Sequence, residues 1–181
     1  MPRFWMTISL SLVLFTASLF SESVPQPAKK QSITATTIDG KKYEISGTPN
    51  GLKIPGTEGK VVFLEFFGHM CPPCLATIPH FIKLQKKFKD KLVILAVEVQ
   101  GYDSAKLKRF GQNAGINYTL FSGQENRLLV SYIAQRAQWQ GGIPFLIVMD
   151  TKGEVQDIRE GFPHNDAFLE SLVTSYLPKK K

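Results

Sequence analysis

Cys71-Pro72-Pro73-Cys74 places two thiols three positions apart in a chain of 181 residues that has no other cysteine. The apolar run Val61–Phe67 (VVFLEFF) ends just before the pair, and an amphipathic stretch begins at it. Cys71 is therefore expected on the first turn of a helix. Unpaired N–H groups and a partial positive charge at a helix N-terminus stabilise a thiolate, which lowers a thiol pKa below the free value of about 8.5. Two intervening residues let the sulfurs meet in a small ring. Prolines are tolerated there because the first N–H groups of a helix have no helical partner. Cys74, one turn deeper, is expected to be shielded. The division of labour that follows is Cys71 as attacking nucleophile and Cys74 as resolving thiol.

Two other uses of the pair fit less well. A disulfide closing so short a loop removes little entropy from the unfolded chain and is a poor staple. A structural zinc site takes four ligands, and the chain has no second Cys pair. His80 falls nine positions beyond Cys71 and points elsewhere on the helix. No metal and no cofactor are expected. His69 precedes the pair and is expected to be exposed beside it, either as a neutral surface residue or as a group acting on Cys71.

The elements that must position these residues can be read from pattern. Ile33–Ile38 and Lys41–Ile45 flank Asp39-Gly40, a hairpin turn signal. Gly47–Gly59 reads as a connection, and Val61–Phe67 as a strand buried on both faces. A helix follows to about Lys89, with Leu75, Ile78, Ile82 and Gln85 on one stripe and Phe81 and Phe88 beside it. Leu92–Glu98 is a second buried strand. Ser104 caps a helix carrying Leu107 and Phe110 that stops at Gly115. Tyr118–Phe121 is a short strand. Asn126 to about Gln140 is a helix with Leu128, Leu129, Tyr132 and Ile133 inward, ended by Gly141-Gly142. Phe145–Met149 and Glu154–Glu160 form a hairpin about Thr151-Lys152-Gly153. Asn165 caps a last helix carrying Phe168, Leu169, Leu172, Val173 and Tyr176. Strands alternating with helices, then a hairpin and a helix, predict an α/β domain around a mixed sheet.

Composition bounds the remainder. Lys+Arg total 22 against 15 Asp+Glu, a net charge of +7, with 43% hydrophobic residues. One domain with an ordinary core fits that length. Arg3 and the uncharged run Phe4–Phe20, followed by Ser21 and Ser23, have the layout of a secretory signal peptide, or of a retained membrane anchor. Residues 1–22 are assigned to that address, 23–32 to a linker, 33–178 to the domain and 179–181 to a basic tail. Either way the domain is exported to a compartment where disulfides persist. The lysine clusters at 86–89, 106–109 and 179–181 do not form a basic stripe interleaved with aromatic residues. They read as solvated faces, not as a nucleic-acid surface.

These features together resemble the thioredoxin superfamily, and within it the exported TlpA/ResA-like branch, over about Ile33 to Leu177. The resemblance rests on VVFLEFF running into the Cys pair, Pro79 eight residues beyond Cys71, and Gly142-Ile143-Pro144 before the strand FLIVM. The turn at Asp150, Gly161 and the closing helix complete it. The N-terminal hairpin and the 73 positions between Cys71 and Pro144, room for an inserted strand and helix, resemble this branch in particular. It implies a thioredoxin-like fold: a mixed central sheet flanked by helices. It also implies a cis Ile143–Pro144 bond packed against the Cys pair, with the Ile143 backbone offered to substrate. From sequence alone Pro144 reads equally as a strand-opening proline. Met70, Pro72, Pro73 and Ile143 are the expected substrate contacts.

Glu65 falls six positions before Cys71, where thioredoxins carry a buried acid. Apolar strand neighbours would desolvate it and raise its pKa, suiting it to accept the Cys74 proton. The other reading is a strand acid reaching solvent at an edge. Met70 and Phe67 replace tryptophans common in the family, and Thr77 replaces an acid of the ResA-like group.

The implied activity is thiol–disulfide exchange with exported proteins, in the reductive direction. Cytochrome c maturation or copper-site cysteines are the implied substrates, and a membrane dithiol donor the implied partner. The same chemistry run as an oxidant, and a Cu(I)-binding chaperone using the two thiolates, are the alternatives.

Overall fold

The computed structural model describes residues 32–162 and 165–178. The signal or anchor segment, the linker up to residue 31 and the basic tail lie outside the described residues. The elements are β1 (Ser32–Thr36), β2 (Lys42–Thr48), β3 (Gly51–Lys53), β4 (Val61–Phe67), α1 (Pro72–Lys87) and β5 (Leu92–Glu98). They continue as α2 (Ser104–Asn113), β6 (Thr119–Ser122), α3 (Arg127–Ala137), β7 (Phe145–Met149), β8 (Val155–Glu160) and α4 (Asp166–Tyr176).

β6-β5-β4-β7-β8 form a mixed sheet, and β1-β2-β3 a small antiparallel one. β4 pairs parallel with β5 and antiparallel with β7. β4 is central, and all seven of its residues are buried, which is why its sequence is almost continuously apolar. Its alternate side chains serve two cores. Val62, Leu64 and Phe66 pack with α3 and the small sheet through Leu129, Ile133, Ile33 and Ile45. Val61 and Phe63 pack with α1 and α4 through Phe81, Leu84, Leu169 and Val173. Phe67 continues that second face into a cluster with Cys71, Cys74, Ala96 and Leu107. This is the mixed α/β sheet that the pattern predicts, and a thioredoxin-like fold, as the resemblance implies. Among the described residues no helix is long and apolar enough to cross a membrane.

Several local expectations shift. β1 starts at Ser32, so the last residue assigned to the linker is already paired, with Ser46. β3 lies inside the Gly/Pro-rich stretch expected to be irregular; its three residues are too few for a periodic signal. The buried stripe of α1 is Cys74, Thr77, Ile78, Phe81 and Leu84. Leu75 is 37% exposed, because the stripe turns to face the sheet end where the cysteines sit. α2 is capped by Asp103, whose side chain accepts from Lys106 N, with Ser104 the first helical residue. α3 ends at Ala137 through Gln138 in the left-handed region (φ 52°), before the glycine pair. Leu128 is 75% exposed and not inward. Asn165 caps α4, accepting from Phe168 N.

Candidate active site

Cys71 and Cys74 are joined as a disulfide, with sulfurs 2.11 Å and Cα atoms 5.2 Å apart. Cys71 is the N-cap of α1, in extended backbone conformation. Its N–H donates to Gly68 O at 3.3 Å, closing a turn over His69 and Met70. Its Sγ accepts from Cys74 N at 3.3 Å, so an orphan amide of the first helical turn is directed at this sulfur. Cys71 is 7% exposed and Cys74 0%. One sulfur borders solvent and the other lies beneath it.

Chain elements distant in sequence complete the rim. The Ile143–Pro144 peptide is cis, and Ile143 O lies 3.9 Å from Cys71 Sγ. Pro144 is buried and Ile143 partly so. Pro72 and Pro73 are exposed, and Met70 is 69% exposed. Together with Leu75 they make an apolar collar around a nearly covered sulfur. The Ile143 loop is itself anchored: Trp139 Nε1 donates to Gly142 O at 2.7 Å, while the Trp139 ring stacks on Phe145 and packs against Phe66.

Glu65 sits on β4 between Ala96 and Leu146, 2% exposed, and does not reach solvent at a sheet edge. Its side chain is on the same face as Phe67, which packs with the cysteines. Among the described residues, its Oε1 is the one buried side-chain oxygen or nitrogen without a hydrogen-bond partner. Burial pushes its pKa from 4.5 up to about 8, because desolvation penalises the carboxylate more than the neutral acid. The Tyr118 phenol is pushed up by its own burial and then by the Glu65 charge. Thr77 is fully buried, with its hydroxyl donating to Pro73 O.

His69 is not the exposed residue expected beside the pair. Its Nδ1 lies 2.7 Å from Glu98 Oε1, and its side chain is 10% exposed. The ring stacks on Tyr102 at 3.5 Å. Glu98 is wholly buried; it also accepts from Gln100 N and Tyr102 N, each at 2.8 Å. Gln100 Oε1 accepts from Met70 N at 2.7 Å. Sequence reading missed Glu98, Gln100, Tyr102 and Trp139. For Glu98 a signal existed: like Glu65, it is an acid closing or interrupting an apolar strand, and a buried acid requires partners. His80 pairs with Asp166 of α4 and stands apart from the cysteines.

A redox-closed Cys-x-x-Cys at a strand-to-helix junction, facing a cis-proline loop on this sheet, defines a thioredoxin-like thiol–disulfide oxidoreductase. The profile of the AhpC/TSA family matches residues 28–158, and the chain belongs to that family. Thiol-disulfide oxidoreductase ResA of Halalkalibacterium halodurans is 24% identical over 97% of this chain and 93% of its own. Among solved structures, a thiol:disulfide interchange protein of the thioredoxin family from Chlorobium tepidum aligns with a TM-score of 0.62. It is 24% identical and covers 86% of this chain and 100% of its own. A second protein of that organism, described as a putative thiol:disulfide interchange protein DsbE, aligns at 0.61 with 20% identity over 83% and 96% of the two chains. The two structural likenesses carry the fold.

Proposed function

We propose that this protein is an exported, periplasmic reductant of protein disulfides, and that Cys71 is its nucleophile. The observation that carries the assignment is the asymmetry of the pair: Cys71 borders solvent and receives a helix amide, and Cys74 is sealed. In the reduced form the Cys71 thiolate attacks one sulfur of a partner disulfide. A mixed disulfide forms, and the partner's other sulfur leaves as a thiolate that takes up a proton. Cys74 then gives its proton to the Glu65 carboxylate and attacks Cys71 Sγ. The second partner thiol departs, and two electrons have passed to the partner. An external dithiol donor, a membrane protein in this reading, returns the 71–74 disulfide to the reduced form.

Glu65 suits its part because a pKa of about 8 keeps it near the threshold of protonation at neutral pH, where a general base is most effective. Pro144 and Ile143 act as the platform: the Ile143 carbonyl beside Cys71 Sγ is free to accept from an extended partner segment, as in strand addition. Met70, Pro72 and Pro73 supply apolar contacts. The name of the ResA relative supports thiol–disulfide exchange; the reductive direction, and cytochrome c maturation as the first substrate class, rest on the branch resemblance. The division into residues 1–22 as signal or anchor, 23–32 as linker, 33–178 as domain and 179–181 as tail belongs to the same reading, with the domain reaching back one residue to Ser32, which pairs with Ser46. The oxidant reading uses the same site in reverse. The copper-chaperone reading draws on the two thiols alone; among the described residues no group of three acidic, His or Cys side chains is placed to hold a metal.

Equilibration of the 71–74 pair with glutathione tests the direction. A reduction potential below about −200 mV supports a reductant; one near about −120 mV, typical of a strong disulfide donor, overturns it. Cys74→Ser is expected to accumulate mixed disulfides with exported partners, and Cys71→Ser to trap none. Equal trapping by both variants reverses the roles of the two cysteines.

A further inference from the structure

Three residues, Gly68, His69 and Met70, separate the end of β4 from Cys71, and each is gripped by the last residue of β5 or the chain just beyond it. Phe67 and Glu98 are opposite one another in the β4–β5 register, and Val99 N donates to Phe67 O at 2.9 Å, so the two strand ends leave the sheet together. Beyond that point side chains take over. The buried Glu98 carboxylate accepts from His69 Nδ1, Gln100 N and Tyr102 N. Tyr102 in turn lies flat on the His69 ring, and its carbonyl accepts from Ser122 Oγ of β6 at 2.6 Å. The Gln100 side chain crosses the bare face of Gly68, where a Cβ would come within 2.2 Å of its Cδ, and its Oε1 accepts from Met70 N.

The resulting arrangement is unusual in what it leaves uncovered. The backbone and ring before Cys71 are held by the fully buried Glu98 side chain. The Met70 side chain, held between them, is 69% exposed. An apolar side chain that size is not held outward by its own hydrophobicity, which favours the opposite. It is held outward by the backbone that carries it.

We propose that Glu98 and Gln100 form a clasp that fixes residues 68–70 and presents Met70, beside Cys71, as a preformed apolar contact for a macromolecular partner. Both are positioning residues; they act through Met70. The proposal rests on exchange with protein disulfides as described above. A small disulfide needs only the exposed edge of Cys71 Sγ. A folded or extended polypeptide must also settle on the collar. If the loop is already ordered, that docking carries no loop-ordering cost beyond that of association itself; if it is loose, the ordering is charged to binding.

Gln100 separates this from a general structural role, because it is exposed and its loss leaves the buried anchor intact. Gln100→Ala removes the acceptor for Met70 N. It is expected to raise the KM for insulin reduction, with dithiothreitol as electron source, by about five- to tenfold with kcat within twofold. The second-order rate of the reduced protein with 2-hydroxyethyl disulfide should stay within twofold. Gln100→Glu keeps the acceptor and should restore the insulin KM. Glu98→Gln puts an amide N–H against backbone donors, and is expected to raise the KM more than Gln100→Ala does. An unchanged insulin KM in Gln100→Ala overturns the clasp. Equal losses on both disulfides overturn it too, as does failure of Gln100→Glu to rescue. Wild-type protein that reacts with 2-hydroxyethyl disulfide but does not reduce insulin would count against the protein-disulfide reading itself, not only the clasp.

Discussion

Glu65, by its burial, makes the stability of this fold depend on pH. Its oxygen is sealed among apolar neighbours without a partner, and desolvation alone raises its pKa to about 8. The folded state therefore keeps this proton where the unfolded chain, titrating at 4.5, has already released it. The unfolded state binds fewer protons across that interval, so stability falls as pH rises from about 4.5 to about 8. Glu65→Gln keeps the shape and cannot ionise. Its urea midpoint is expected to lose this slope, and near pH 8 the variant should be more stable than wild type by on the order of a few kcal/mol. Parallel midpoint–pH curves for the two proteins would show that Glu65 is not the buried acid responsible. The same substitution is expected to slow release of the mixed disulfide roughly a hundredfold at neutral pH, the scale of a lost general base. Stopped-flow resolution of a preformed Cys71 mixed disulfide measures it, and a rate within threefold of wild type removes Glu65 from the mechanism. The position of this acid inside VVFLEFF was legible in the sequence, since burial of that strand follows from its composition. That its oxygen lacks a partner was not, because it depends on what α1 and β5 place against it.

At the scale of elements, α1 offers an N-terminus and β4, β5 and β7 offer their ends. The loop after α3 is the least obvious contributor. Gln138 in the left-handed region turns the chain, Trp139 packs between Phe66 and Phe145, and its N–H holds Gly142 O. Gly142 is also closely covered, for a Cβ there would lie 2.0 Å from Glu160 Oε1. Trp139→Phe keeps an aromatic ring and loses the donor. It is expected to lower stability by about 1–3 kcal/mol, a hydrogen bond together with some buried area. It should also raise the KM for insulin reduction several-fold, through a less fixed Ile143. Unaltered KM with the expected loss of stability would confine Trp139 to the core. Sequence reading placed α3 and the glycine pair but overran the helix end and turned Leu128 inward. The left-handed Gln138 carries no compositional signal, and without the true end the helix phase is ambiguous.

Over the whole molecule, the small β1-β2-β3 sheet must be tied to the rest. Asn126, 5% exposed, does this from the start of α3. Its Oδ1 accepts from Thr36 N at 2.7 Å, and its Nδ2 donates to Thr36 O and Ser122 O. Ile38 N adds a bond to Leu120 O. The two sheets also share one hydrophobic core, from Ile33 and Ile45 to Leu64 and Phe66, so they are expected to unfold together. Asn126→Ala strands backbone groups of Thr36 and should cost about 2–4 kcal/mol, with a single urea transition retained. Two separated transitions would mean the small sheet is an independent unit. A loss under about 0.5 kcal/mol would mean that water satisfies Thr36.

Which atoms carry the chemistry was settled by the sequence, because the chain has no thiol beyond Cys71 and Cys74 and their place at a strand-to-helix junction follows from local patterning. Hydropathy period and turn chemistry act between near neighbours, so the order of the elements could be read directly, apart from the three-residue β3. The shielding of Cys74 was also legible, from its place one turn into the helix. Tertiary structure alone decided that Ile143 O arrives 3.9 Å from Cys71 Sγ across 72 positions, and that Glu98 takes hold of His69 from 29 positions away. These follow from the strand order β6-β5-β4-β7-β8, which brings distant strand ends to one edge. Burial, moreover, makes an unpartnered polar group costly: the Glu98 carboxyl meets that cost with His69, Gln100 N and Tyr102 N, and Glu65, whose Oε1 has no partner, with a raised pKa.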